Sequence, residues 1–156
     1  MKVLAVDPGY DRLGIAVIEK QNGSEILLYS SCIETPKEQT LADRLHTIGV
    51  QFSKLLTKHK PDVVGIETLF FNKNVKTAIG VAQARGMILY LAKEAGADIM
   101  EFGPQEIKIA VTGYGKSDKN AVVDMVKRLV QNVPENALDD EYDAIAVGVT
   151  ALAHWR

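Results

Sequence analysis

The chain has 156 residues, 47% apolar and 24% charged, with a formal net charge of −2; it suits one domain with one core. A single cysteine, Cys32, excludes an internal disulfide, and no run approaches the roughly 20 apolar residues of a membrane span. The total charge gives no hint of a polyanionic partner, yet Phe70 to Lys93 holds Lys73, Lys76, Arg85 and Lys93 with no acid, while Gln131 to Asp143 holds acids and no base.

Val3 to Asp7 is an apolar run that meets a carboxylate, and Pro8-Gly9 then turns the chain. Such a run predicts a strand buried on both faces. A carboxylate at its end is costly to desolvate unless cations or donors surround it. Asp7 is therefore expected at the lip of a sheet, helping to hold a metal ion. Leu13 to Glu19 reads as a second strand and Glu25 to Ile33 as a third, joined through an Asn22-Gly23 hairpin signal. The three form an antiparallel meander.

Leu41, Leu45, Ile48, Phe52, Leu55 and Leu56 make the apolar stripe of an amphipathic helix, closed by Pro61. Asp62 to Glu67 is a fourth strand. A helix between strands implies a crossover, so this strand should run parallel to an earlier one. If it pairs with the first, Asp7 and Glu67 become neighbours at the carboxyl edge, where open sheets of this kind bind ligands. Asn74 to Ala95 is a second long helix capped by Gly96, and Ala97 to Phe102 a fifth strand. A short helix, Gln105 to Val111, follows Pro104. Gly113-Tyr114-Gly115-Lys116 is a loop, and Ser117 or Asp118 caps a helix that runs to about Gln131. Leu138 to Trp155 is the last helix, with Asp140 and Asp143 three apart on one face.

The helix dipole accounts for Asp139, Asp140 and Glu141 near a helix start; it accounts less well for Asp143, which enters the apolar stripe directly. Asp7, Glu67, Asp140 and Asp143 converge if the last helix packs by the carboxyl end of the sheet. Such a cluster repels itself unless protonated or bridged by cations, and hard divalent ions such as Mg²⁺ prefer carboxylate oxygen. Two such ions, roughly 3.5–4 Å apart, activate water in phosphodiester cleavage. His46, His59 and His154 show no ligand spacing. Cys32 reads as a buried strand residue, and Arg85 as a local anchor. Gly80 and Gly86 invite close approach by a partner copy or a neighbouring helix.

These motifs resemble the RuvC family of Holliday junction resolvases within the ribonuclease H-like superfamily. Asp7-Pro8-Gly9 with Gly14 resembles the opening motif, and Glu67 to Asn74 the second acidic motif. Gln83-Ala84-Arg85-Gly86 resembles a further signature. Val111 to Gly115 with Lys119 resembles the basic loop, and Asp140 to Ala146 the final acidic motif. The resemblance implies an α/β ribonuclease H-like fold over residues 1–156 as a single domain. Its sheet would be five-stranded and mixed, three antiparallel strands then parallel ones, flanked by helices.

By the same resemblance, Asp7, Glu67, Asp140 and Asp143 are the catalytic metal ligands, for two Mg²⁺ ions with Mn²⁺ as substitute. Phe70 contacts bases at the junction centre, and Lys108 and Lys119 lie near the scissile phosphate, Lys119 taking part in catalysis. Lys73, Lys76 and Lys116 complete the expected DNA contacts. The implied activity is paired symmetric nicking of four-way DNA junctions in recombination and repair. It would be carried out in the cytoplasm, away from membranes, by a homodimer with a branch-migration helicase complex as partner. The alternatives are a non-cleaving junction-binding protein of the same fold and a sugar-kinase or actin-like domain; the latter needs a second half for which there is no room. The chain departs from the family pattern at Ala82, at Ser117 and Ala121, and in the bulky Glu141-Tyr142 between its aspartates.

Overall fold

The computed structural model describes residues 1–68 and 75–155. Strands β1 (Lys2–Asp7), β2 (Arg12–Gln21) and β3 (Ser24–Glu34) form the expected antiparallel meander. Asn22 and Gly23 at its hairpin have φ of 49° and 84°, the all-positive pattern whose twist matches the flanking strands. Helix α1 (Leu41–His59) starts at Thr40, whose hydroxyl accepts from the Asp43 amide at 3.2 Å. Then come β4 (Val63–Glu67), α2 (Val75–Glu94), β5 (Asp98–Phe102), α3 (Pro104–Thr112), α4 (Lys119–Leu129), β6 (Val130–Gln131) and α5 (Asp139–His154).

The sheet order is β5-β4-β1-β2-β3-β6. Strand β4 lies parallel to β1, with Val6 opposite Ile66, and β5 lies parallel to β4. One correction concerns β6. The sequence predicts five strands and a helix running to Gln131, but Val130 and Gln131 leave the helix and pair parallel with Glu25 and Ile26 of β3. Two residues carry no periodicity, so only the long-range pairing reveals this strand.

Two apolar layers cover the sheet. Val3 and Ala5 of β1, Ala16 and Ile18 of β2, and Val63 of β4 pack against α3, α4 and α5. Leu4 and Val6, Leu13, Ile15 and Val17, and Val64 and Ile66 face the opposite layer, built on α1 and α2. Strands buried on both faces explain the unbroken apolar runs, and each fully buried Leu, Ile or Val contributes roughly 1.5–3 kcal/mol. The alternation also decides where the strand-end carboxylates lie. Asp7 continues the Val3–Ala5 row, and Glu67 continues the row of Val63 and Gly65, so both belong to the α5 face.

Candidate active site

Helix α5 reaches the carboxyl edge of the sheet because nothing fills the space above Gly14. Gly14 stands opposite Asp7 in the β1–β2 ladder, and a Cβ built on it would come within 2.0 Å of the Asp140 carbonyl oxygen. Only hydrogen at this position lets the first turn of α5 rest on the backbone of β2. That turn carries Asp140 and, one turn on, Asp143. The bulky pair between them has structural work. Glu141 accepts from the Ser30 hydroxyl at 2.7 Å and from the Leu138 amide at 3.3 Å, tying the start of α5 to β3. Tyr142 is 5% exposed, and its hydroxyl lies 2.8 Å from the carbonyls of both Pro134 and Glu135.

The four carboxylates act on one another. Burial pushes Asp7 up to about 8, helped by the negative charges of Asp143, Glu67 and Asp140. Burial and the Asp143 charge also raise Glu67, against the pull of Lys108. Asp143 is raised by burial, although the hydrogen bond and charge of Lys119 oppose this. Loss of solvent and like charges both disfavour the ionised forms.

Two cations sit against the cluster. Lys119 Nζ is 3.1 Å from Asp143 and 3.3 Å from Asp139. Its desolvation, which lowers its pKa, is outweighed by these carboxylates, so the ammonium titrates above its usual range. Arg12 Nη1 lies 3.7 Å from Asp140. Lys119, Lys108, Glu67 and Asp143 share a cleft of about 250 Å³ on the α3–α4 side. Asp7, Asp140, Arg12 and Lys37 line a second, of about 510 Å³, on the side of the β1–β2 turn.

The donor set fits a hard divalent cation. It consists of carboxylate oxygen alone, it is partly desolvated, and Asp7 carries a repulsion that a bound cation would remove. Among the described residues no three acidic, histidine or cysteine side chains are already drawn into a closed ligand set.

The structure thus gathers Asp7, Glu67, Asp140, Asp143, Lys108 and Lys119 at one edge. Lys116 is exposed in the loop between α3 and α4. Ser117 pins that loop: its hydroxyl is 2.6 Å from that of Thr112 and 2.8 Å from the Tyr114 carbonyl. Phe70, Lys73 and the side chain of Lys76 lie outside the described residues. Arg85 is the anchor expected of it, donating to the Glu67 carbonyl at 3.4 Å and pairing with Glu101. Cys32 is only partly buried rather than buried; what burial it has, with the nearby charges of Asp140 and Glu34, pushes its thiol up to about 11. His154 rests on Phe102 with ring centroids 5.3 Å apart, and His59 on Tyr29 at 5.5 Å. Sequence reasoning missed Arg12. A lone arginine after a turn carries no signal of the helix terminus that folds over it.

Residues 3–151 match the family model described as crossover junction endodeoxyribonuclease RuvC. A protein of that description from Thermosipho melanesiensis is 43% identical, with 94% of each chain covered. One from Halothermothrix orenii is 42% identical over 96% of this chain and 90% of its own. Among solved structures, Thermus thermophilus RuvC in complex with Holliday junction substrate superposes with a TM-score of 0.90 at 28% identity, covering 96% of this chain and 92% of that one.

Proposed function

Since the chain belongs to the RuvC family of crossover junction endodeoxyribonucleases, we propose that it resolves four-way Holliday junctions by metal-dependent hydrolysis, with Asp7, Glu67, Asp140 and Asp143 as its metal ligands. One observation carries the site assignment: Asp7 is raised to about 8 by burial and by those same three carboxylates. A cation that neutralises the cluster relieves this cost, and its binding releases the proton held on Asp7. Two Mg²⁺ ions, or Mn²⁺ in their place, would supply a water of lowered pKa and charge for the departing oxygen.

The chain's own groups do the rest. Lys119 stays charged at neutral pH and lines the 250 Å³ cleft, where its ammonium would face a phosphodiester oxygen of bound DNA. A fixed charge aimed at developing negative charge lowers the barrier without reorganisation. Lys108 adds a second positive charge in the same cleft. Lys116, with Lys73 and Lys76, would bind phosphates by counterion release, positioning the backbone without reading sequence. Phe70 would stack on an unpaired base.

Paired nicking calls for two copies. The outer face of α2 presents Ile79 and Tyr90, 51% and 64% exposed, on one helical face with Gln83 and Gly86. We assign the homodimer contact to this face; sedimentation of the Ile79→Glu protein as a monomer is the expected result. We read residues 1–156 as a single domain, with a branch-migration helicase complex as the expected partner on DNA in the cytoplasm. Among the described residues no helix is long and apolar enough to cross a membrane.

The test is incubation with a mobile four-way junction and a linear duplex in Mg²⁺ at low salt. Paired symmetric nicks in the junction, and an intact duplex, are expected. Absence of cutting with both Mg²⁺ and Mn²⁺ refutes the nuclease reading in favour of a non-cleaving binder.

A further inference from the structure

We infer that Arg44 is a positioning residue for the Asp7 end of the site, gripping the Pro8–Asp11 turn from the opposite side of the sheet. This rests on the nuclease reading above. Arg44 is only 7% exposed and heads the inner stripe of α1, in register with Ile48, Phe52 and Leu56. An arginine there is costly to bury, and an apolar residue would fill the position at less expense. Its contacts explain its presence.

Arg44 Nε donates to the Thr35 hydroxyl at 2.8 Å, and Nη2 donates to the Tyr10 carbonyl at 3.4 Å. The same nitrogen pairs with the Asp11 carboxylate. The guanidinium lies 4.7 Å from the centroid of the Tyr10 ring. Thr35 in turn donates its hydroxyl to the Tyr10 carbonyl and its amide to the Asp11 carbonyl at 3.1 Å. The far face of the Tyr10 turn is closed by α2. A Cβ on Gly80 would come within 2.5 Å of the Tyr10 ring, so glycine there lets the ring seat against the helix.

Apart from the bond to Thr35, which itself holds Tyr10 and Asp11, the contacts of Arg44 fall on residues three and four places after Asp7, and Asp7 and Tyr10 line one cleft with Asp140. Asp7 belongs to the α5 face, whereas Arg44 comes from the α1 layer. Its influence therefore travels through the backbone of the turn and does not come from its charge. Two hydrogen-bonding edges and a flat stacking face are what the position uses, and lysine supplies neither. Groups that orient a metal ligand without touching the metal typically alter affinity by roughly 10–100-fold when removed.

The experiment compares wild type, Arg44→Lys and Asp11→Asn as full-length proteins. Asp11→Asn changes a half-exposed partner and leaves the buried cation in place, so it stays informative should Arg44→Lys fail to fold. Mn²⁺ binding is titrated calorimetrically without DNA. Junction affinity is measured in EDTA, and the Mn²⁺ midpoint for cutting under single turnover. The inference expects folded variants with unchanged junction affinity, and with Mn²⁺ affinity and cutting midpoint shifted together by about tenfold. Variants that lose thermal stability yet bind Mn²⁺ like wild type overturn it and leave Arg44 a structural residue. A wild type that neither binds Mn²⁺ nor cuts junctions overturns the nuclease reading, and this inference with it.

Discussion

Replacing Asp7 with asparagine should stabilise the metal-free protein while abolishing its cutting. The carboxyl is raised from 3.8 to about 8 in the fold. Between those values the folded state holds a proton that the unfolded state has lost, so stability falls as pH rises. The cost is fully present above the folded pKa and absent below the unfolded one. At about 1.4 kcal/mol per pH unit, the penalty is under about 1 kcal/mol at pH 4, about 4 kcal/mol at pH 7 and about 6 kcal/mol above pH 9. Asparagine occupies the same space and carries none of it. Urea denaturation in EDTA, followed by circular dichroism and by the single tryptophan, Trp155, should show Asp7→Asn gaining stability over wild type as pH rises from 4 to 9. For a chain of this length the gain at pH 9 corresponds to roughly 10–20 °C in Tm. Mg²⁺ or Mn²⁺ should then raise the stability of wild type and narrow the gap, since a bound cation removes the same repulsion. Equal stabilities at pH 9 in EDTA, or a difference that does not change with pH, would refute the electrostatic account of the site. Junction binding should survive the change; its loss in a folded variant counts against the metal-ligand role.

Three further outcomes are expected. Lys119→Ala should slow single-turnover cutting by roughly 10²–10³-fold by removing the ammonium 3.1 Å from Asp143, and an unchanged rate would return Lys119 to a surface ion pair. Gly14→Ala forces a Cβ to within 2.0 Å of the Asp140 carbonyl; it should cost about 1–3 kcal/mol in urea denaturation and lower cutting, because the start of α5 must lift from the sheet. Tyr142→Phe leaves the Ala137 amide without its side-chain acceptor and the Pro134 and Glu135 carbonyls without the hydroxyl. It should lower stability by about 1–3 kcal/mol while cutting is retained, as measured on the same junction.

Much of the molecule is legible in one dimension. The unbroken apolar runs Val3–Val6 and Val63–Ile66 mark strands covered on both faces, and the carboxylates that end them stand out because nothing else in those runs is charged. The i, i+3 pair Asp140 and Asp143 is equally visible. Arg44 was not, because an arginine in a helical stripe gives no sign of which side faces in. Arg12 and β6 escaped for a related reason: each takes its meaning from a partner more than a hundred residues away, Asp140 in one case and Glu25 in the other.

Local pattern therefore determined the elements and the types of group that stand at their ends, since hydrophobic periodicity and turn chemistry act over a few residues. The tertiary structure alone decided that four carboxylates come to one edge of the sheet. The parallel β1–β4 pairing sets Asp7 beside Glu67, period-two alternation turns both toward α5, and the bare backbone at Gly14 lets that helix come down upon them. The raised titration of Asp7 exists only in that arrangement, because burial and close like charges are properties of the assembled edge and of no single residue in it.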